Sequence, residues 1–332
     1  MRSHYSTRHM VTAGLSLAVL AGLCASPSLL GGRVGSAIAG LGAASPAWLW
    51  AAGLAFAGTS VCGALAWRAA LRAAGTPLGI ADAGARYGIG CGLNAVAPAH
   101  IGSAVRIALF GRVSAGGCWT VGGAAAAVGV TRIVWLGALV AIGSAAGVLP
   151  AWPLFAAGAV VVAAAAAACT ARRVALPRRL DQILVAFRAL ASSPRDLAVV
   201  AAWALLGAAT KVAAAAAIVA ALGIDHPLRA ALILVPAVEL AAVMPLTPGN
   251  VGVASAAVAL ALGAQGIGSG TALSVGIAFA AVELLTAVAV GLAGGLLLSG
   301  RLCRPYVRLA AAGAASLGLA AAFGATVLPP VV

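Results

Sequence analysis

Carboxylates are nearly absent from this chain. It has six Asp and Glu residues in 332, against 20 Lys and Arg. Charged residues of both signs make up only 8% of it. No Ser-His-Asp set, aspartate-rich metal motif or P-loop occurs, so neither a catalytic centre nor a cofactor nor a metal is expected. The six cysteines (Cys24, Cys62, Cys91, Cys118, Cys169 and Cys303) are scattered and include no Cys-x-x-Cys. That excludes a disulfide framework or zinc cluster and leaves them as small buried hydrophobes. Also missing are a soluble domain and a long linker.

What fills the space is hydrocarbon. Hydrophobic residues are 63% of the chain and the mean hydropathy is +1.12. A helix rises about 1.5 Å per residue, so about 20 apolar residues cross a bilayer core of about 30 Å. Runs of that length recur, which makes the chain an all-α, polytopic integral membrane protein with one transmembrane domain over 1–332. The net charge of +14 would suggest nucleic acid in a soluble protein. Here the arginines gather in short loops between apolar runs, the pattern that keeps such loops cytoplasmic and attracts anionic lipid. Membrane lipid is therefore the expected partner, nucleic acid is not, and no protein partner is indicated.

The runs predict seven crossings, near 11–30, 47–67, 119–146, 152–171, 197–222, 271–298 and 309–328. The start, Arg2 to His9 followed by Met10–Leu23, could pass for a signal peptide. Ala21-Gly22-Leu23-Cys24 is a poor lipobox because leucine stands where a small residue is wanted, so the segment reads as an uncleaved first span. Basic loops at Arg68, Arg72 and Arg86, at Arg172 to Arg195, and at Arg301, Arg304 and Arg308 put the N-terminus in the cytoplasm and the C-terminus outside a cell membrane. Residues 180–191 read as an amphipathic helix at the membrane surface.

Two intervals do not fit simple crossings. In 77–117 the apolar pieces, 84–97 and 101–111, reach only about half to two thirds of the core. A re-entrant hairpin entering from the cytoplasm fits. The interval 228–266, broken at Pro245–Gly249, reads as an opposed hairpin from outside. The two halves then form a pseudo-symmetric inverted repeat. The breaks themselves echo each other. Asn94-Ala-Val-Ala-Pro98-Ala-His100-Ile-Gly102-Ser103-Ala-Val-Arg106 and Pro248-Gly249-Asn250-Val-Gly252-Val-Ala-Ser255 share Pro-x-x-x-Gly. Paired breaks in apolar helices point to a transport site, because a bilayer tolerates irregular backbone only where protein or water satisfies it. Pro98–Gly102 and Pro248–Gly252 are expected to approach each other near the bilayer middle.

Arg106 falls one turn into the helix beginning near Gly102, where free N–H groups and the guanidinium make a phosphate-sized anion site. The bland alternative is that it snorkels to the surface. His100 can titrate or merely be a polar tip, and Asn94 and Asn250 satisfy backbone freed by the prolines. Arg132, Lys211, Glu239 and Glu283 fall near mid-crossing, where a charge costs about 2.5–3.5 kcal/mol on insertion scales. Pairing is expected, Arg132 with Glu283, and Lys211 or Arg132 with Glu239. Such pairs either fix packing or line a pathway. Gly88-Ile-Gly90-Cys-Gly92 lacks the strand, turn and later acid of a dinucleotide site. Gly291-x-x-x-Gly295 is a helix-contact pattern, and the alanine runs 163–168 and 213–217 permit close helix approach.

At these residues the chain resembles the flippase-like transmembrane region of lysylphosphatidylglycerol synthases and their stand-alone relatives. That family's first motif is approximately Asn-x-x-x-Pro-Gly-Arg-x-Gly-Glu-x-x-Arg, matched by Asn94, Pro98, Gly102 and Arg106. Its second is approximately Pro-Gly-Gly-x-Gly-x-x-Glu, matched by Pro248, Gly249 and Gly252. The family often has an arginine after a glutamate in the following span, and Thr131-Arg132 matches the arginine alone. Ser103 and Ser255 stand where the family usually carries glutamates, and His100 replaces an arginine or glycine. Glu239 and Glu283 are candidate replacements for those carboxylates. The resemblance spans about 10–300 and implies lipid handling without the aminoacyl-transfer domain of the synthases.

Two functions follow as expectations. One is a translocase that moves an anionic phospholipid or lipid-linked phosphate through a cavity between the hairpins, with no enzymatic step. The other is a non-transporting scaffold or partner of an envelope lipid or glycan enzyme.

Overall fold

Pro46 and Pro194 each open a long apolar helix, a first-turn position where a missing N–H costs nothing. In the computed structural model these helices are α1 (Pro46–Ala73) and α6 (Pro194–Ala221). Residues 44–96, 101–145, 178–241 and 251–299 are described, with isolated positions at Gly42 and between Phe155 and Ala166. The spans expected at 11–30, 152–171 and 309–328 therefore lie outside the described residues, or nearly so. So do Pro98, His100, Pro248 and Asn250, and with them the expected meeting of the two breaks.

The other elements are α2 (Ile80–Val96), α3 (Ile101–Gly111), α4 (Gly117–Ala145), α5 (Arg178–Ser192), α7 (Pro227–Ala241), α8 (Val251–Gly263) and α9 (Ser269–Ser299). The described residues contain no strand. Four helices, α1, α4, α6 and α9, are long and apolar enough to cross a membrane, so the chain is an all-α, multi-pass membrane protein. The short helices flank the two expected breaks. At 1.5 Å per residue, α3 spans about 16 Å and α8 about 20 Å, well short of a bilayer core.

Helices α1 and α6 run antiparallel and are fastened along their length. At one end the Ser45 N–H donates to the Ala221 carbonyl at 2.8 Å. In the middle the Thr59 and Thr210 hydroxyls bond at 3.0 Å, beside Gly58 under Thr210 and Gly207 under Cys62. At the other end Arg72 pairs with Asp196 at 3.2 Å. Thr59 and Thr210 are 151 residues apart. The same shift carries α1 onto α6, α2 onto α7, α3 onto α8 and α4 onto α9. Under this exchange every extensive helix contact that does not involve α5 has a counterpart: α1–α2 and α6–α7, α2–α3 and α7–α8, α3–α4 and α8–α9, α2–α9 and α7–α4. The bonded threonines are thus corresponding residues that meet where the halves exchange.

Each half has its own core. Phe110, Val121, Leu71 and Val200 anchor one, among the C-terminal part of α1, α2 to α5 and the start of α6. Phe56, Ile218, Leu234, Leu262 and Phe279 anchor the other. Helix α5 is the amphipathic helix expected at 180–191, but it does not only lie at a surface. Ala186 and Leu190 are buried in the first core, and the Ile183 carbonyl sits where a side chain on Gly123 of α4 would be.

Helices α2 and α3 are antiparallel and clasped at both ends. Thr76 and Ser114 share a buried hydroxyl hydrogen bond of 3.1 Å at the base. At the far end Asn94 Oδ1 accepts from the Ser103 N–H at 3.0 Å, and Asn94 Nδ2 donates to Ser103 Oγ at 3.0 Å. Asn94 so satisfies one of the free N–H groups in the first turn of α3, the backbone role expected of it. Gly102 allows this contact, since a side chain there would collide with the Gly90 carbonyl and the Asn94 amide. Arg86 corrects the sequence reading. It is not in a basic loop but buried within α2, paired with Asp82 and donating to the Leu109 carbonyl at 3.1 Å.

Candidate functional site

Where α1, α2, α3, α4, α6 and α7 converge they enclose a cavity of about 250 Å³. Its polar wall carries Arg106, Arg132, Lys211, Glu239, Tyr87 and Thr59. Of these six, Arg106, Arg132, Lys211 and Glu239 are expected from sequence, and Tyr87 and Thr59 are not.

Arg106 does not snorkel. It is 9% exposed and, with Arg86, one of two arginines among the buried polar residues described. Its guanidinium lies 4.1 Å from the centre of the Tyr87 ring and 5.4 Å from that of Trp67, a cation–π arrangement that gains strength when desolvated. Nη2 donates to Cys91 Sγ at 3.4 Å, a weak acceptor. Nε has no hydrogen-bond partner, and among the described residues no carboxylate pairs with the group. Two glycines set its place. A side chain on Gly90 would strike Arg106 Nε and Cβ, and one on Gly63 would strike the Tyr87 ring and hydroxyl. The glycine-rich run in α2 is therefore a packing surface: Gly90 makes room for the arginine, while Gly88 and Gly92 face α9.

The four mid-helix charges meet in a chain. Arg132 Nη2 donates to both Glu239 oxygens, at 3.2 and 3.4 Å. Lys211 Nζ reaches Glu239 at 2.8 Å and Glu283 at 3.1 Å. The expected contacts of Glu239 are thus present, while the expected partnership of Arg132 with Glu283 is not. Arg132 has Glu239, and Glu283 has Lys211. Lys211 and Glu239 stand between the two in the chain of contacts, Arg132 to Glu239 to Lys211 to Glu283. Lys211 is the most enclosed member, its side chain 12% exposed, whereas that of Arg132 is 54% exposed. Two cations and two anions balance within this chain. Arg106 is the surplus charge of the cavity.

Gly252 lies in the first turn of α8, but Asn250 and Pro248 before it lie outside the described residues. Ser255, at the second motif's glutamate position, is buried against Gly276 of α9. Ser103, at the first motif's, is taken up by Asn94. Of the described cysteines, Cys62 is buried as expected, but Cys118 is exposed. The Gly291-x-x-x-Gly295 pattern marks a contact but not the right pair: Gly291 and Gly294 touch α2, and Gly295 faces open space.

No signal in the sequence joined Trp67 or Tyr87 to Arg106, because the three come from different helices. Among known proteins, the family model of the lysylphosphatidylglycerol synthase TM region matches residues 11–291. No curated protein and no solved structure matches the chain.

Proposed function

This chain belongs to the lysylphosphatidylglycerol synthase TM-region family, and from that premise we propose that it is a lipid translocase without enzymatic activity. The substrate is an anionic phospholipid or lipid-linked phosphate whose headgroup occupies the cavity. One observation carries this reading: a buried guanidinium lines the cavity with no carboxylate paired to it among the described residues, while the neighbouring charges neutralise one another. Burying a charge without a partner is costly, and a phosphate oxygen is the partner an arginine accepts best.

The test is transport of fluorescent lipids of several classes by the purified protein in vesicles. Arg106→Ala removes a charge-assisted hydrogen bond, so the expected loss is about ten-fold or more. Wild-type transport by that variant would rule out the phosphate role. A native protein that moves no class of lipid would instead favour the scaffold function.

The topology proposed with this function has seven crossings, two opposed re-entrant hairpins (77–117 and 228–266) and an inverted repeat. Its support is the antiparallel α1–α6 pair, the matched helix contacts and the shortness of α3 and α8. In the cell membrane the N-terminus is cytoplasmic and the C-terminus outside. Single cysteines at 176 and 329 check this: an impermeant thiol reagent added outside is expected to label 329 and spare 176, and the reverse pattern would invert the protein.

A further inference from the structure

The helix contacts obey the internal exchange, but one related pair, α2–α9 and α4–α7, is the most unequal. Helices α2 and α9 meet backbone to backbone. A side chain on Gly88 would lie 2.7 Å from the Val290 carbonyl oxygen, one on Gly92 2.8 Å from Gly291 Cα, and one on Gly294 2.5 Å from the Ala85 carbonyl oxygen. The shift of 151 residues carries this seam onto α7 and α4. There Glu239 stands for Gly88, Leu139 for Val290 and Val140 for Gly291. Glu239 and Val140 thus stand in the α4–α7 seam where glycines stand in the other, and both helices line the cavity.

The cavity lining is also of two kinds. Arg106, Arg132, Lys211 and Glu239 are charged, whereas Ile133, Leu136 and Leu139 of α4 and Val235 of α7 are apolar. An inorganic phosphate would use only the charged residues. An amphiphile with one negative headgroup and a hydrocarbon tail matches both. We infer that the α4–α7 seam is the lateral portal through which the acyl chain of the bound lipid leaves the cavity, beside the Arg132–Glu239 pair that links the two helices. This rests on the headgroup reading of Arg106. The sealed α2–α9 seam provides the internal comparison, since the same shift relates the two seams.

The test uses the full-length protein in phosphatidylcholine vesicles doped with phosphatidylglycerol that carries a photoreactive diazirine on its acyl chain. Adducts are mapped by mass spectrometry. Labelling at Ile133, Leu136, Leu139 and Val235 is expected to exceed that at Ile89 and Val290 by about ten-fold. Unlabelled phosphatidylglycerol should compete it away, and phosphatidylcholine of the same chain length should not. Equal labelling of both seams, or labelling that competitor lipid leaves unchanged, overturns the portal, because annular lipid would then explain the adducts. In Arg106→Ala the labelling at the α4–α7 seam should fall by about ten-fold. If transport falls in that variant and the labelling does not, the headgroup site stands and the portal is refuted. If neither falls, the headgroup reading fails and takes the portal with it.

Discussion

Replacing Lys211 with methionine is expected to destabilise the protein more than any other single change at the charge chain. Lys211 holds Glu239 at 2.8 Å and Glu283 at 3.1 Å. Methionine fills the same volume but leaves two anions with one remaining cation, Arg132. Breaking a buried ion pair by removing one partner typically costs about 3–5 kcal/mol, chiefly because the survivor stays desolvated and unmatched. Thermal unfolding in detergent reads the loss. Lys211→Met combined with Glu283→Gln leaves the Arg132–Glu239 pair intact and balanced, so the double variant should recover much of what the single one loses. Strictly additive losses would mean that Lys211 and Glu283 are not coupled. Transport by the recovered variant then separates two roles. A chain of charges that only fixes packing transports normally once it is rebalanced, and one that takes part in lipid movement does not.

The second large effect is steric, and a neighbouring glycine serves as its control. Gly291→Ala places a methyl 2.7 Å from Gly92 Cα, 3.1 Å from Gly92 N and 3.3 Å from the Gly88 carbonyl oxygen. All three obstacles are backbone, so α2 and α9 must separate. Overpacking of this kind typically costs about 1–3 kcal/mol. Gly295→Ala meets nothing within 4 Å. Both substitutions gain the same helix propensity, about 1 kcal/mol in a helix interior. The expected result is therefore a lower unfolding temperature for Gly291→Ala and an unchanged or higher one for Gly295→Ala. The damage should spread to the site, because α2 also carries Tyr87, Gly90 and Asn94. Equal responses at the two positions would show that the seam is not where the structure puts it.

The correction within Gly291-x-x-x-Gly295 shows where the sequence loses resolution. A four-residue glycine spacing says that one helix face is small. It does not say which rotation of that face meets a neighbour, and here Gly294 takes the contact that the motif assigned to Gly295. The glycines at 88, 90 and 92 are similar. Sequence context rejected a dinucleotide loop correctly, but their actual partners, α9 and Arg106, are far along the chain. Arg86 failed for a local reason. It follows a polar loop and looks like a surface charge, yet Asp82 one turn earlier and the Leu109 carbonyl draw it inside.

Sequence by itself determined the class of the protein and the placement of the four long apolar helices α1, α4, α6 and α9. Hydrocarbon content and run length fix which helices are long, and Pro46 and Pro194 fix where two of them start, because both act locally along the chain. It also determined which charges need partners, since any charge at mid-helix in an apolar chain does. Only the tertiary structure decided who those partners are. Arg132 turned to Glu239 and Glu283 to Lys211 because the antiparallel α1–α6 pair sets the relative height and side of every other helix. The same packing left Arg106 under two rings without a carboxylate, and gave α2 and α9 a more extensive contact than α4 and α7. Those choices depend on contacts between residues remote in sequence, which no local pattern records.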